Sequence, residues 1–185
     1  MKVVTVNVKS LSPYAQSRYH NTPRLAGEQP DAWEERTWRN RAHTLPDGQI
    51  FIPPMAFSGC IKEAAKFLNK KIPGKRNETW TKHFESGVIV STPLNTGVNV
   101  NDLQRYPVHC SSDGTPGGKT RVMRYFPVVN EWKGIITVTV LDDMIDKEIF
   151  SEVIVTAGSL IGIGTFRPRN RGYFGRFEIT NIKWE

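Results

Sequence analysis

Segments with the patterns of β-strands and amphipathic helices alternate along this chain, and their order restricts the fold more than any other feature. Strands are predicted at Val3–Val8, Gly87–Ser91, Gly134–Leu141 and Arg176–Trp184, because β-branched or alternating apolar residues dominate each of them. One helical pattern lies between the first two strands and another between the last two. The order is βαββαβ, which predicts an α+β, ferredoxin-like fold with an antiparallel sheet and helices on one face.

Each helical pattern has its own start signal. Ser58 is predicted to cap the first helix, which ends before Pro73-Gly74. The second is predicted to begin after a cluster of three aspartates, since acidic side chains suit a helix N-terminus. The apolar stripe of the first helix is Ile61, Ala64, Ala65 and Leu68, and the aspartates are Asp142, Asp143 and Asp146.

Two long polar segments interrupt the pattern, at about residues 10–48 and 92–130. The length of 185 residues suits one domain, so we predict a single domain over residues 1–185 with insertions at these two places. Loops this long in a compact domain usually have a function.

The sequence predicts a cytoplasmic protein. No apolar run reaches the ~18–20 residues that cross a bilayer, and the N-terminus lacks the apolar core of a secretory signal. Cys60 and Cys110 make no disulfide framework and show no zinc-site spacing. Phosphate-binding nucleotide motifs are also absent from the sequence, so we expect no cofactor and no metal.

The excess of cationic side chains favours a polyanionic partner. There are 25 Lys and Arg residues against 18 Asp and Glu residues, a formal net charge of +7. Arginine, glycine and aromatic residues coincide at residues 162–176, which we call the glycine–arginine loop. Its glycines allow close backbone approach to a ligand, its arginines offer planar donors to phosphates, and its aromatic rings can stack on bases. The predicted ligand-approach residues are Gly162, Gly164, Gly172 and Gly175, and the predicted binding residues are Phe166, Arg167, Arg169, Arg171 and Tyr173.

That loop has an alternative interpretation, in which it packs against its own sheet and its arginines are solvated. Other candidate binding residues lie in the first insertion, around the first helix and in the second insertion. In the first insertion, the alternative is that Glu34 and Glu35 neutralise the arginines. These further candidates are Arg18, Arg39, Arg41, Ser58, Lys62, Lys66, Arg121 and Arg124.

Four phrases, in order, carry a family resemblance that spans nearly the whole chain. They are Leu11-Ser12-Pro13, Ile52-Pro53, Ser58-Gly59-Cys60-Ile61-Lys62, and the glycine-rich run Gly162-Ile163-Gly164 with Gly172-Tyr173-Phe174-Gly175-Arg176. In this order the chain resembles the CRISPR-associated RAMP superfamily, in the branch that forms the backbone of RNA-guided effector complexes.

The resemblance implies a RAMP-type domain that holds single-stranded RNA along one face, with residues 92–130 as an inserted hairpin or thumb. The function expected is non-catalytic binding of single-stranded nucleic acid, CRISPR guide RNA above all, by a repeating subunit. The implied partners are single-stranded RNA or DNA, other copies of the chain and effector subunits, with no membrane.

Three alternatives remain open. One is a stand-alone single-stranded DNA- or RNA-binding protein of a mobile element that interferes with CRISPR effectors. Another is a metal-independent endoribonuclease that processes CRISPR RNA, with His20 and His43 as candidate catalytic residues. The resemblance also makes Glu35 a candidate for the acidic residue with which other backbone subunits cut the target. The third is a protein-interaction module whose basic surface serves solubility.

Overall fold

The computed structural model describes residues 1–111 and 121–185. Short 3-10 turns lie at Trp38–Arg41, Val100–Asp102 and Pro168–Asn170, and a π turn follows the last helix at Ala157–Ile161. The strands and α-helices, in chain order, are β1 (Lys2–Ser10), β2 (Tyr14–Ala15), α1 (Pro30–Thr37), β3 (Gln49–Ile52), α2 (Pro54–Leu68), α3 (Thr81–Gly87), β4 (Val88–Val90), β5 (Leu94–Asn99), β6 (Gln104–Ser111), β7 (Arg121–Val129), β8 (Lys133–Val140), α4 (Lys147–Thr156) and β9 (Phe177–Trp184).

The central sheet has four strands in the order β4-β8-β1-β9, and each neighbouring pair is antiparallel. The main helix α2 lies between β1 and β4 in the chain, and α4 lies between β8 and β9. This is the ferredoxin-like arrangement, so the predicted fold class is confirmed.

Strict alternation along β1 separates a buried face from an accessible one. Val4, Val6 and Val8 are at most 2% exposed, whereas the residues between them are only partly buried. The inward side chains pair in register with the buried residues of β8, as Val6 does with Ile136. The helices α2 and α4 cover this apolar face, because their own apolar stripes need a partner.

The first helix begins five residues earlier than its sequence pattern indicated. Pro54 is its first residue and Pro53 stands before it in extended conformation, whereas Ser58 lies buried in the second turn. The prediction that Ser58 caps this helix is therefore wrong. The fixed φ of proline suits the first helical position, and this preference outweighs the capping tendency of a serine further along.

The acidic start of the last helix is confirmed. The Asp146 carboxylate accepts hydrogen bonds from the backbone N–H groups of Glu148 and Ile149, each at 2.9 Å. Two otherwise unpaired helical N–H groups are thereby satisfied.

The two insertions are folded together beside the central sheet. β6 and β7 pair antiparallel along their length and form the inserted hairpin, and residues 112–120 between them lie outside the described residues. From the first insertion, β2 pairs with the end of β7. The single domain with these insertion bounds stays a prediction.

Within the described ranges, every helix is either too short or too polar to span a bilayer.

We predict that Phe57→Ala destabilises the fold by about 3–5 kcal/mol. The Phe57 ring is fully buried and meets Trp132 and Phe177 edge-on, with ring centroids 6.1 and 5.6 Å away. Urea unfolding measures the change. Met55→Ala is the matched control on the same helix, since Met55 is 74% exposed and its loss is expected to change stability by less than ~0.5 kcal/mol. Equal effects of the two substitutions would contradict the packing assigned to Phe57.

Candidate nucleic-acid interface

A buried glutamine anchors the start of the first insertion. Gln16 is 2% exposed; its side-chain amide donates to the Phe51 carbonyl at 3.1 Å and accepts from the His43 backbone N–H at 2.5 Å. Two residues later, the backbone N–H of Arg18 donates to the carbonyl of Arg41 at 2.8 Å. The polar segment that carries Arg18 is therefore held at a defined place from its first residues.

A buried glutamate holds the rest of the insertion against the hairpin. The Glu34 carboxylate on α1 accepts from Arg41 Nη2 at 2.8 and 3.1 Å and from Arg124 Nε at 2.9 Å. The Glu34 side chain is 3% exposed, and those of Arg41 and Arg124 are 11% and 21% exposed. Two predicted binding arginines are thus engaged with a carboxylate of the chain itself, and for Arg41, in the first insertion, this is the pairing that the alternative interpretation expects.

An open groove of about 530 Å³ lies next to this triad, and we call it the loop cleft. Arg18 and Arg39 are exposed in it, and neither forms an ion pair within the described part of the chain. The Arg39 guanidinium lies over the Trp38 ring at 4.4 Å, and Tyr19 is 85% exposed. The cleft is lined by Arg18, Tyr19, His20, Asn21, Thr22, Arg39, Asn40, Ala42, Thr44 and Val100.

A smaller cavity of about 270 Å³ adjoins the loop cleft, and we call it the arginine pocket. Tyr19 and His20 line both cavities, which therefore share a wall. The pocket is lined by Tyr19, His20, Arg24, Pro30, Trp33, Glu34, Arg41, Val122 and Arg124.

Two histidines of this region have lowered pKa values. The pKa of His20 is lowered by burial and then by the charge of Arg41, against an opposing effect of Glu34. The pKa of His43 is lowered by burial and then by the charge of Arg18. Both imidazoles are therefore neutral at pH 7, and the cationic groups around them are the arginines.

The glycines of the glycine–arginine loop approach the chain's own backbone. A Cβ atom on Gly164 would overlap the carbonyl oxygen of Ala15, and one on Gly172 would overlap that of Phe166. Gly162 and Gly175 are also too crowded for a side chain. Internal packing thus accounts for all four glycines, and their approach to a ligand stays a prediction.

Within this loop the arginines differ in their partners. Arg167 and Arg169 both donate to Glu63 of α2, at 3.1 and 2.9 Å, whereas Arg171 is exposed. The Phe166 ring packs edge-on against Phe126 at 4.9 Å. Of the five binding residues predicted here, Arg169, Arg171 and Tyr173 are exposed, and Arg169 is the one of these three that is bound to Glu63.

The remaining candidates are placed at separate points. Lys66 is exposed on α2, Lys62 is half-buried one turn before it, and Ser58 is buried. On β7, Arg121 is exposed, whereas Arg124 lines the arginine pocket.

The candidate catalytic residues each contact another side chain of this chain. Glu35 is paired with Arg105 at 2.7 Å, His20 stacks on Trp33 with centroids 5.4 Å apart, and His43 packs against Phe51 at 5.6 Å. Among the residues that the structure describes, no three His, Cys, Asp or Glu side chains are grouped as a metal site.

Sequence reasoning singled out neither Tyr19, Arg24 nor Trp33, which line the two cavities. Aromatic residues inside a polar, basic segment were the signal that could have identified Tyr19 and Trp33. Sequence reasoning also missed a contact of His83. Its Nδ1 lies 2.6 Å from Asp142 Oδ2, and this hydrogen bond lowers the pKa of the Asp142 carboxyl.

The accessible face of the central sheet is composed differently from the loop cleft. The side chains that alternate with the buried valines of β1 are Val3, Thr5 and Asn7, and Thr5 pairs in register with Thr137 of β8. Base stacking needs aromatic rings, and these positions carry none. The two insertions, rather than this face, bring aromatic and cationic side chains together.

Comparisons with known proteins bear on the fold. A chain of the type III-B Cmr-beta structure, solved by cryo-electron microscopy bound to cognate target RNA, superposes with a TM-score of 0.56 at 14% identity. The match covers 99% of this chain and 60% of that one, so this chain spans about three fifths of its length. Cmr6 from Pyrococcus furiosus gives a TM-score of 0.49 at 13% identity, covering 96% and 97% of the two chains. No protein-family model and no curated protein matches the sequence. The likeness to the Cmr-beta chain concerns the fold, and it agrees with the fold predicted from the sequence.

We predict that Glu34→Gln lowers the free energy of unfolding by about 3 kcal/mol. The neutral amide keeps the volume of the side chain but leaves Arg41 and Arg124 without a counter-charge. Chemical denaturation at pH 7 measures the loss. Glu35→Gln is the control one residue away; it removes only a solvent-exposed pair with Arg105, so little change is expected. A loss no larger than that of the control would show that Glu34 does not hold the insertion in place.

Proposed function

We propose that this chain binds single-stranded RNA, a CRISPR guide RNA, as a repeating, non-catalytic backbone subunit of an RNA-guided effector complex. The observation that carries the proposal is the loop cleft, in which Arg18, Arg39 and the exposed ring of Tyr19 line one groove. Cationic and aromatic side chains in a single open groove are the combination that binds single strands.

The electrostatic part of binding comes from guanidiniums that the chain does not neutralise itself. Arg18 and Arg39 have no carboxylate partner within residues 1–111 and 121–185, so their donors are available to phosphate oxygens. The affinity is expected to fall with salt, because phosphate binding releases counterions from the nucleic acid.

The stacking part comes from Tyr19, with Tyr173 of the glycine–arginine loop as a second exposed ring. Ser12 connects the glycine–arginine loop to the segment that carries Tyr19. Its hydroxyl donates to the Tyr173 carbonyl at 3.0 Å and accepts from the Arg176 backbone N–H at 2.9 Å. β2 then leads from Ser12 towards Arg18. We assign Arg171 and Tyr173 to the same RNA path.

The assignment to an effector complex is supported by the fold shared with a chain of the RNA-bound Cmr-beta structure. It is supported also by the order of the sequence phrases that resemble the RAMP superfamily. In this proposal the partners are guide RNA, effector subunits and further copies of the chain. No catalytic step is assigned, since the chain's own contacts account for His20, His43 and Glu35.

We predict that the chain, expressed in a host that carries a CRISPR array, co-purifies with RNA of defined length. The absorbance ratio at 260 and 280 nm detects it, and nuclease sensitivity and sequencing identify it. Repeat-derived RNA supports a guide-bound subunit. Mixed RNA or DNA would instead favour the stand-alone binder of a mobile element. A protein spectrum free of nucleic acid, with no binding to added oligonucleotides at low salt, would contradict nucleic-acid binding altogether.

A second prediction concerns the loop cleft. Arg18→Ala with Arg39→Ala is expected to weaken binding of single-stranded RNA regardless of its sequence. The slope of log K against log salt becomes shallower by about 1.4, since each phosphate contact on a single strand contributes about 0.7. Fluorescence anisotropy between 50 and 300 mM salt, as approximate limits, measures the slope.

The matched control removes the same charge elsewhere. Lys147→Ala with Lys183→Ala changes two exposed lysines, on α4 and β9, that line none of the cavities described above. Its slope is expected to stay near that of the unaltered protein. Equal changes in both double variants would mean that net charge, and not the loop cleft, determines binding.

A further inference from the structure

The arginine pocket has an unbalanced charge. Arg41 and Arg124 share the single carboxylate of Glu34, and Arg24 is a third cation on the wall. The nearby Glu28 is outside the pocket lining and is bound by Arg36 at 2.7 and 2.8 Å, so its charge is offset mainly by Arg36, although Arg24 also contributes to lowering its pKa. Because His20 is neutral, the groups that line the pocket carry a net charge of about +2.

Two buried polar atoms on the pocket walls have no hydrogen-bond partner among the described residues. They are Nε of Arg41 and Nε2 of His20. Native proteins leave few buried polar groups unsatisfied, and a bound ion or ligand is a usual explanation where they do. Arg41 contacts Glu34 through Nη2 and Arg124 does so through Nε, so both guanidiniums keep further donors for an anion.

From this geometry we infer that, in the copy of the chain that lies at an end of the strand, the arginine pocket binds the terminal phosphate of the nucleic acid that occupies the loop cleft; the inference rests on the proposed function. A terminal phosphate monoester carries a charge between −1.5 and −2 at pH 7, which matches the charge of the pocket. A bridging phosphodiester carries only one negative charge. Planar guanidiniums bind such oxygens through paired hydrogen bonds.

The shape of the pocket also favours the end of a strand. Its volume of about 270 Å³ is about half that of the loop cleft, which is about 530 Å³, and the two share Tyr19 and His20. A strand can run along the cleft and end in the pocket. An internal phosphate would bring a nucleotide on each side into the smaller space.

A base is a poorer occupant of this pocket than a phosphate. The Trp33 ring is already stacked against His20, and the Arg24 guanidinium lies 5.8 Å from its centroid. Tyr19 is the exposed ring at the boundary of the two cavities, so it is available to the terminal base while the phosphate enters the pocket.

The test uses one short single-stranded RNA, labelled internally, with a 5′-phosphate, with a 3′-phosphate or with hydroxyls at both ends. We expect one of the phosphorylated forms to bind at least about tenfold more tightly than the unphosphorylated form, as hydrogen bonds to a charged group allow. Millimolar inorganic phosphate should abolish this preference and leave binding of the unphosphorylated strand intact.

Arg24→Gln is the decisive variant, since Arg24 is exposed and its replacement is not expected to unfold the protein. It should remove the preference for the end phosphate while the unphosphorylated RNA binds as before. Arg18→Ala with Arg39→Ala should weaken all three forms and keep their ratio. Thermal melting of each variant checks the fold.

The outcomes separate this inference from the proposed function. If no RNA form binds, the proposed function fails and this inference fails with it. If all three forms bind equally, the proposed function stands and the terminal-phosphate site is overturned. The terminal-phosphate site is also overturned by a combination of two results. In that case inorganic phosphate raises the melting temperature of the unaltered protein but not of Arg24→Gln, and the protein shows no preference for an RNA with a phosphorylated end. The pocket is then a site for free phosphate.

Discussion

The contact between Glu34 and the two arginines Arg41 and Arg124 determines how the first insertion is held against the inserted hairpin. It joins helix α1 to the following 3-10 turn and to the inserted hairpin, three elements that no sheet hydrogen bond connects to one another. Removing three charged groups from water is costly, and the cost is offset only when geometry and hydrogen bonds are good. Such a contact is weak evidence for added stability. It does fix one arrangement of the insertion, and both cavities depend on that arrangement.

Internal carboxylates divide the basic residues of the chain into two groups. Glu34 and Glu63 each bind two arginines, which come from β7, the first insertion and the glycine–arginine loop. The arginines that remain unpaired within the described ranges, such as Arg18, Arg39 and Arg171, lie on the surface. The net charge of +7 therefore does not show where unpaired cations lie on the molecule. The acidic residues neutralise some of the arginines and leave others without a carboxylate partner.

The scaffold could be predicted from the sequence because its signals are local. The alternation of Val4, Val6 and Val8, and the aspartates before α4, act within a few residues, and the ferredoxin-like order follows from them. The pairings that form the candidate site are not local. Arg124 meets Glu34 across 90 positions and Arg167 meets Glu63 across 104, so no spacing rule in the sequence indicates them. The start of α2 at Pro54 was missed for another reason, since two competing helix-start signals stood within five residues of each other.

The proposed binding site lies on loops because the side chains of the first insertion suit a single-stranded nucleic acid better than those of the accessible sheet face do. That face carries the polar side chains of Thr5, Asn7 and Thr137 beside the aliphatic ones of Val3, Ile89 and Ile135, and none of these six has a ring on which a base can stack. Tyr19, Trp33 and the unpaired arginines lie instead in the first insertion, which Gln16 and Glu34 hold in place. A rigid scaffold that positions functional loops is a common arrangement, and the same fold can then serve different ligands. The specificity of this chain is consequently expected to follow the composition of residues 10–48 more closely than that of the central sheet.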